Sequence, residues 1–167
     1  MTLKIKNKIM LFIPLILWAL LIFYFSSQTY KEQDITHIID RYSRIINWNE
    51  IFGWVHFSYH GSEISIENKG VAHFIEFFIR KAAHFIIFFV LGFLTIRIWT
   101  KFTSRRLISF IGTLVFVVMY ALLDEVHQKF TGGRTPLLAD VWLDSVGGIF
   151  GVIAYYVVSF YRKRRRK

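Results

Sequence analysis

A chain of 167 residues that is 54% hydrophobic, with a mean hydropathy of +0.43, is too apolar for an ordinary soluble domain and fits a small membrane protein. The absence of cysteine excludes disulfides, a thiolate nucleophile and cysteine metal sites. A net charge of +10 would suit nucleic acid, but the placement of that charge along the chain does not.

The first predicted span covers residues 9–25, preceded by Lys4, Lys6 and Lys8. Its apolar run is long and no small-x-small cleavage site follows Phe23–Gln28, so a retained anchor is expected rather than a signal peptide. Pro14 lies one turn inside it, which spanning helices tolerate. Residues 26–81 form the longest excursion. Within it Ile35, Ile38, Ile39, Tyr42, Ile45 and Ile46 recur at helical spacing, opposite Thr36, Asp40, Arg41, Ser43 and Arg44. The aromatic run Trp48, Phe52, Trp54, Phe57 and Tyr59 follows. The pattern predicts an amphipathic helix on the outer leaflet and an aromatic stretch in the interface, with a small folded cap as the alternative. Residues 59–70, YHGSEISIENKG, read as an exposed turn with room for a short strand. His73, Glu76, Arg80 and His84 then fall in one helical row.

Three more spans are predicted at residues 82–99, 107–123 and 141–161, each near the ~20 residues that cross a bilayer. The expected fold is therefore an all-α membrane protein forming one domain over residues 1–167. Thirteen of the 21 Lys and Arg residues precede the first span, lie between Arg97 and Arg106 where the second span gives way to the third, or follow the fourth, with no acidic residue among them. All 11 Asp and Glu lie on the other side. The positive-inside rule predicts cytoplasmic termini, a plasma-membrane location and an extracytoplasmic segment between the first two spans. The RKRRRK tail suits orientation and anionic lipid, and no nucleic-acid partner is expected.

Polar residues gather where the chain should leave the membrane on that outer side. Residues 122–140 read LLDEVHQKFTGGRTPLLAD between two apolar walls. Asp124 and Glu125 end the third predicted span, Asp140 and Asp144 open the fourth, and Lys81 and His84 enter the second. Ser26, Ser27 and Gln28 leave the first at the same level. Glu125 and Gln128 are one turn apart, as are Asp124 and Gln128. Gly147, Gly148 and Gly151 share a face with Asp140 and Asp144 and permit close helix approach, carrying Asp144 inward, where a carboxylate needs a partner. Arg134, Lys81 or His84 could supply it, and Arg134 in the turn offers an anion-binding fork.

With these motifs assembled, the chain resembles the VanZ-like family of small bacterial membrane proteins. Ser26-Ser27-Gln28, Lys81-x-x-His84, Asp124-Glu125-x-x-Gln128-x-Phe130, Gly133-Arg134, Asp140 and the three glycines carry the resemblance over nearly the whole chain. Asp144 departs from it: the family often has Asn there, and Asp keeps the acceptor, adds charge and loses the amide donor. The resemblance implies an association with resistance to teicoplanin, a lipid-tailed glycopeptide acting at the cell wall, but no reaction.

Three readings compete. In the first, an outward polar pocket of Lys81, His84, Glu125, Gln128, Arg134, Asp140 and Asp144 binds a lipid-linked wall precursor or a lipoglycopeptide among the membrane lipids. In the second, an intramembrane enzyme uses Glu125, His84 or Asp124 in acid–base chemistry on such a molecule, with Arg134 stabilising an anionic transition state. In the third, the polar groups merely satisfy one another and fix helix register. No cofactor or metal is expected, because no His-x-x-x-His or comparable ligand pair exists. The inner half lacks buried charge, which ranks transport last.

Overall fold

The structure, a computed structural model, describes residues 2–43, 45–59, 61–132 and 138–165. It is mostly helical: α1 (Thr2–Ser26), α2 (Thr36–Ser43), α3 (Trp48–Phe52), a hairpin of β1 (Phe57–Tyr59) and β2 (Ser62–Ile64), then α4 (Ile66–Phe102), α5 (Arg106–Gly132) and α6 (Leu138–Arg164). Among the described residues four helices, α1, α4, α5 and α6, are long and apolar enough to cross a membrane. Contacts divide the chain into two compact units, residues 1–28 with 84–167, and residues 29–83.

The first unit holds the four-helix core. Ile22, Phe88, Leu91, Val117, Ala121 and Val141, one or two from each helix, pack together, with Leu15, Trp18, Ile87 and Tyr120 around them. Two polar side chains tie α1 to its neighbours through carbonyl oxygens: Trp18 Nε1 donates to Ile87 at 2.9 Å and Tyr120 Oη to Ala19 at 2.7 Å. Hydrocarbon offers no competing partner, so such bonds help fix helix register. The buried face of α6 is Asp140, Val141, Asp144, Ser145, Gly147, Gly148, Gly151 and Val152, a repeat of three and four residues. A methyl group on Gly147 or Gly151 would run into α4 backbone at Phe85 or Phe89, and one on Gly148 into Val117 of α5. The opposite faces, with Leu17, Leu123, Phe130, Trp142 and Phe150 exposed, are apolar as lipid contact demands.

The second unit is a folded piece rather than a loop. Ile64, Ile66 and Phe74 form its core, with Trp48, Phe52, Val55, Tyr59 and Phe77 packed against it. The aromatic run is therefore spent largely on this core, with Trp48 stacked on Phe52 at 5.8 Å, while Trp54 stays exposed. The amphipathic pattern does form a helix, α2. Asp34 begins it, accepting from the Thr36 hydroxyl at 2.6 Å and from its N–H at 2.8 Å. These bonds, the hydroxyl's first, hold the Asp34 carboxyl below its usual range.

One expectation needs correction. The fold is not purely helical, since β1 and β2 pair antiparallel with Phe57 opposite Ile64 and Tyr59 opposite Ser62, turning through Gly61 at φ 78°. The helices are also longer than their apolar stretches. α5 continues eight residues past Asp124 to Gly132, because residues 124–131, although mostly polar, contain neither Pro nor Gly. Hydropathy measures lipid affinity, whereas helix propagation ends only at a backbone break.

Candidate functional site

Three helices of the first unit each send one ionisable side chain to a common point: His84 from α4, Asp124 from α5 and Asp144 from α6. One nitrogen or oxygen atom of each lies within 4.8 Å of the other two. Asp144 lies two turns inside the start of α6 and Asp124 two turns before the end of α5, so the cluster is roughly 10 Å in from both helix ends. His84 Nδ1 and Asp144 Oδ1 are 3.3 Å apart. They are close enough for charge attraction but not aligned for a hydrogen bond, and neither carboxylate oxygen of Asp144 has a hydrogen-bond partner among the described residues. Asp144 is 0% exposed, and Asp124 5%.

Asp124 is better served. Gln128, one turn on, donates its amide Nε2 to Asp124 Oδ2 at 2.7 Å. His127 Nδ1 lies 3.1 Å from the Ser26 hydroxyl at the end of α1. His127 is stacked on Phe23, ring centres 4.4 Å apart, and Thr131 donates to the Ser26 carbonyl at 3.0 Å.

Glu125 and Asp140 are buried as well, at 5% and 8% exposure. Asp140 acts electrostatically on His84 together with Asp124 and Asp144. Adjacent residues on a helix point about 100° apart, so Asp124 and Glu125 cannot share one role, and it is Asp124 that meets His84. Lys81 belongs to the second unit, where its ammonium sits 4.6 Å above the Tyr59 ring and 5.5 Å from Phe77. Gly133 and Arg134 lie outside the described residues.

Residues 11–159, from within α1 to near the end of α6, match the VanZ/LLP1 family. The chain belongs to that family. No curated protein and no solved structure matches it. In this VanZ/LLP1 protein the motif residues named from the sequence supply the cluster, His84, Asp124, Gln128 and Asp144, from helices that sequence separation alone could not pair.

The second unit contains a network that sequence reading reduced to a helical row. Glu76, 1% exposed, accepts from Arg80 Nη2 at 2.7 Å and Nε at 3.1 Å. Arg80 also donates to the Gln33 carbonyl at 3.3 Å and lies 4.0 Å above the Tyr30 ring. Tyr30 Oη donates to Glu76 at 3.4 Å, and burial raises the phenol above its usual range, which keeps it a donor. The i, i+4 spacing of Glu76 and Arg80 was the available signal. Tyr30, 46 residues from Glu76, gave none.

Proposed function

We propose that this protein lies in the bacterial plasma membrane with both termini in the cytoplasm. In this reading its His84–Asp124–Asp144 cluster, on the extracytoplasmic side, receives the polar head of a lipid-linked envelope molecule or a lipoglycopeptide. The orientation rests on the placement of 13 basic residues, without one acidic neighbour, at one end of the four spans. The site rests chiefly on Asp144, a fully buried carboxylate whose two oxygens lack hydrogen-bond partners among the described residues. A group held that way costs several kcal/mol of folding free energy, which favours a use beyond packing. Family membership supports the membrane setting, and the earlier resemblance motivates the envelope ligand.

Acid–base turnover of the same molecule is the second reading, favoured by one observation. A carboxylate 3.3 Å from Nδ1 can orient and polarise an imidazole, leaving Nε2 to accept or deliver a proton. Native mass spectrometry of the detergent-extracted protein separates the two. A co-purified lipid or lipid-linked precursor, lost in His84→Gln and Asp124→Asn, is the expected result, while chemical conversion of an added lipid would favour turnover. Variants that accumulate normally, keep the same bound lipids and leave the growth-arresting lipoglycopeptide concentration unchanged would refute the site.

A further inference from the structure

We propose that His84, Asp124 and Asp144 together bind one divalent transition-metal ion of the zinc or manganese class, through one imidazole nitrogen and two carboxylate oxygens. This deepens the reading of the cluster as the functional centre and rests on it. Sequence spacing argued against a metal because it looked for ligands on one helix, whereas here each of three helices supplies one.

The geometry is that of a ligand set around a missing centre. Metal bonds of about 2.0–2.2 Å in a tetrahedral site separate neighbouring ligand atoms by about 3.3–3.6 Å. His84 Nδ1 and Asp144 Oδ1 are 3.3 Å apart, and all three donor atoms fall within 4.8 Å, so the wider separations need to close by about 1.5 Å at most. The independent observation is the state of those atoms. Among the described residues, His84 Nδ1 and both oxygens of the fully buried Asp144 lack hydrogen-bond partners, although they face one another. Buried polar atoms are normally satisfied, and a cation between them would satisfy all three at once. Asp124 carries the outer bond that ligating carboxylates require, from Gln128 at 2.7 Å.

Charge points the same way. Three carboxyl groups, Asp124, Asp140 and Asp144, gather around a single imidazole. A bound dication would supply the positive charge that stabilises their ionised form and would offer an open coordination position. Mixed imidazole and carboxylate donors suit zinc or manganese better than calcium or magnesium, which take oxygen alone. Three protein donors leave at least one position for water or for a phosphate oxygen of the envelope molecule.

The test uses the full chain in detergent, without a histidine tag, stripped with EDTA and dialysed against zinc chloride or manganese chloride. Metal content is read by mass spectrometry, and melting with and without added ion. The wild type should retain about one ion per chain and melt higher with it. His84→Gln, Asp124→Asn and Asp144→Asn should each weaken uptake at least ~10-fold, and Gln128→Leu by ~10–100-fold. His73→Gln, in the other unit, should change nothing. A wild type that retains no ion, or equal retention in wild type and cluster variants, overturns the proposal. Should a variant fail to accumulate, wild-type stoichiometry and its melting shift decide alone. A metal-free wild type that still co-purifies envelope lipid would sink the metal and spare the site. A metal-loaded wild type with no lipid and no altered phenotype in His84→Gln would support the metal and sink the envelope reading.

Discussion

Gly147→Ala adds one carbon where α4 and α6 cross, one turn from Asp144 and opposite the residue that follows His84. That carbon would sit 2.5 Å from the Phe85 carbonyl oxygen and 3.2 Å from its carbon, both backbone, so neither can rotate away. Restoring ordinary contact of about 3.4 Å requires the helices to part locally by roughly 0.9 Å, an overpacking that typically costs about 1–3 kcal/mol. Carried rigidly to the cluster, that movement would open the His84–Asp144 approach from 3.3 Å to about 4.2 Å and weaken the charge attraction between them. Alanine also gains about 1 kcal/mol over glycine in helix propensity. The proper control is therefore Gly112→Ala, which gains the same propensity but meets the Trp99 ring at 2.6 Å, a side chain 36% exposed and able to turn aside. Unfolding by SDS titration, followed by tryptophan fluorescence, should place Gly147→Ala about 1–3 kcal/mol below Gly112→Ala. Equal stability of the two variants within about 0.5 kcal/mol would refute backbone contact at Gly147 as the determinant of helix spacing.

In the second unit, Glu76→Gln strands Arg80 beside a neutral amide; with Glu76 buried and Arg80 partly solvated, the loss should be about 3 kcal/mol, read as faster proteolysis within residues 29–83. Wild-type susceptibility would disprove it. The Asp34 carboxyl has a folded pKa below its ordinary value, so its support for α2 is fully present above about pH 4 and is lost as pH falls through the lowered value. Intrinsic-rate-corrected amide protection at Thr36 should follow that course, and Asp34→Ala should flatten it. For orientation, a cysteine replacing Lys101 should resist an impermeant thiol reagent in intact cells while one replacing Ser62 or Lys129 reacts; external labelling at position 101 would invert the proposed topology.

The four long helices were legible because lipid contact imposes an unbroken apolar face, and the glycine face of α6 because its three- and four-residue spacing survives in any environment. The residues of the cluster were legible as individuals, since Asp in an apolar helix is costly wherever it points. Their pairing was not. Asp144 had three plausible partners in the sequence, and among the described residues the packing of Gly147 against Phe85 brings His84 to it. The choice of Asp124 over Glu125 depends on the rotation of α5 about its own axis, fixed by core contacts such as Val117 and Ala121. The aromatic run left an interface stretch and a folded cap both open by composition; Trp48, Phe52 and Tyr59 pack against a core that includes Phe74, more than a dozen residues further along.

A cluster built from one residue per helix also constrains the order in which the bundle can mature. The ribosome delivers α4 and α5 before α6, so His84 and Asp124 are already in the membrane when Asp144 arrives. Until it docks, α6 presents Asp140 and Asp144 to lipid, where a central Asp costs about 2.5–3.5 kcal/mol, somewhat less nearer the helix end. Docking removes both from hydrocarbon in a single step, since the face that carries them also carries the glycines that fit against α4. An α6 that cannot close that gap remains a span with exposed charge, the sort of segment that membrane quality control expels or degrades. Asp144 would thereby couple the proposed centre to the completion of the fold.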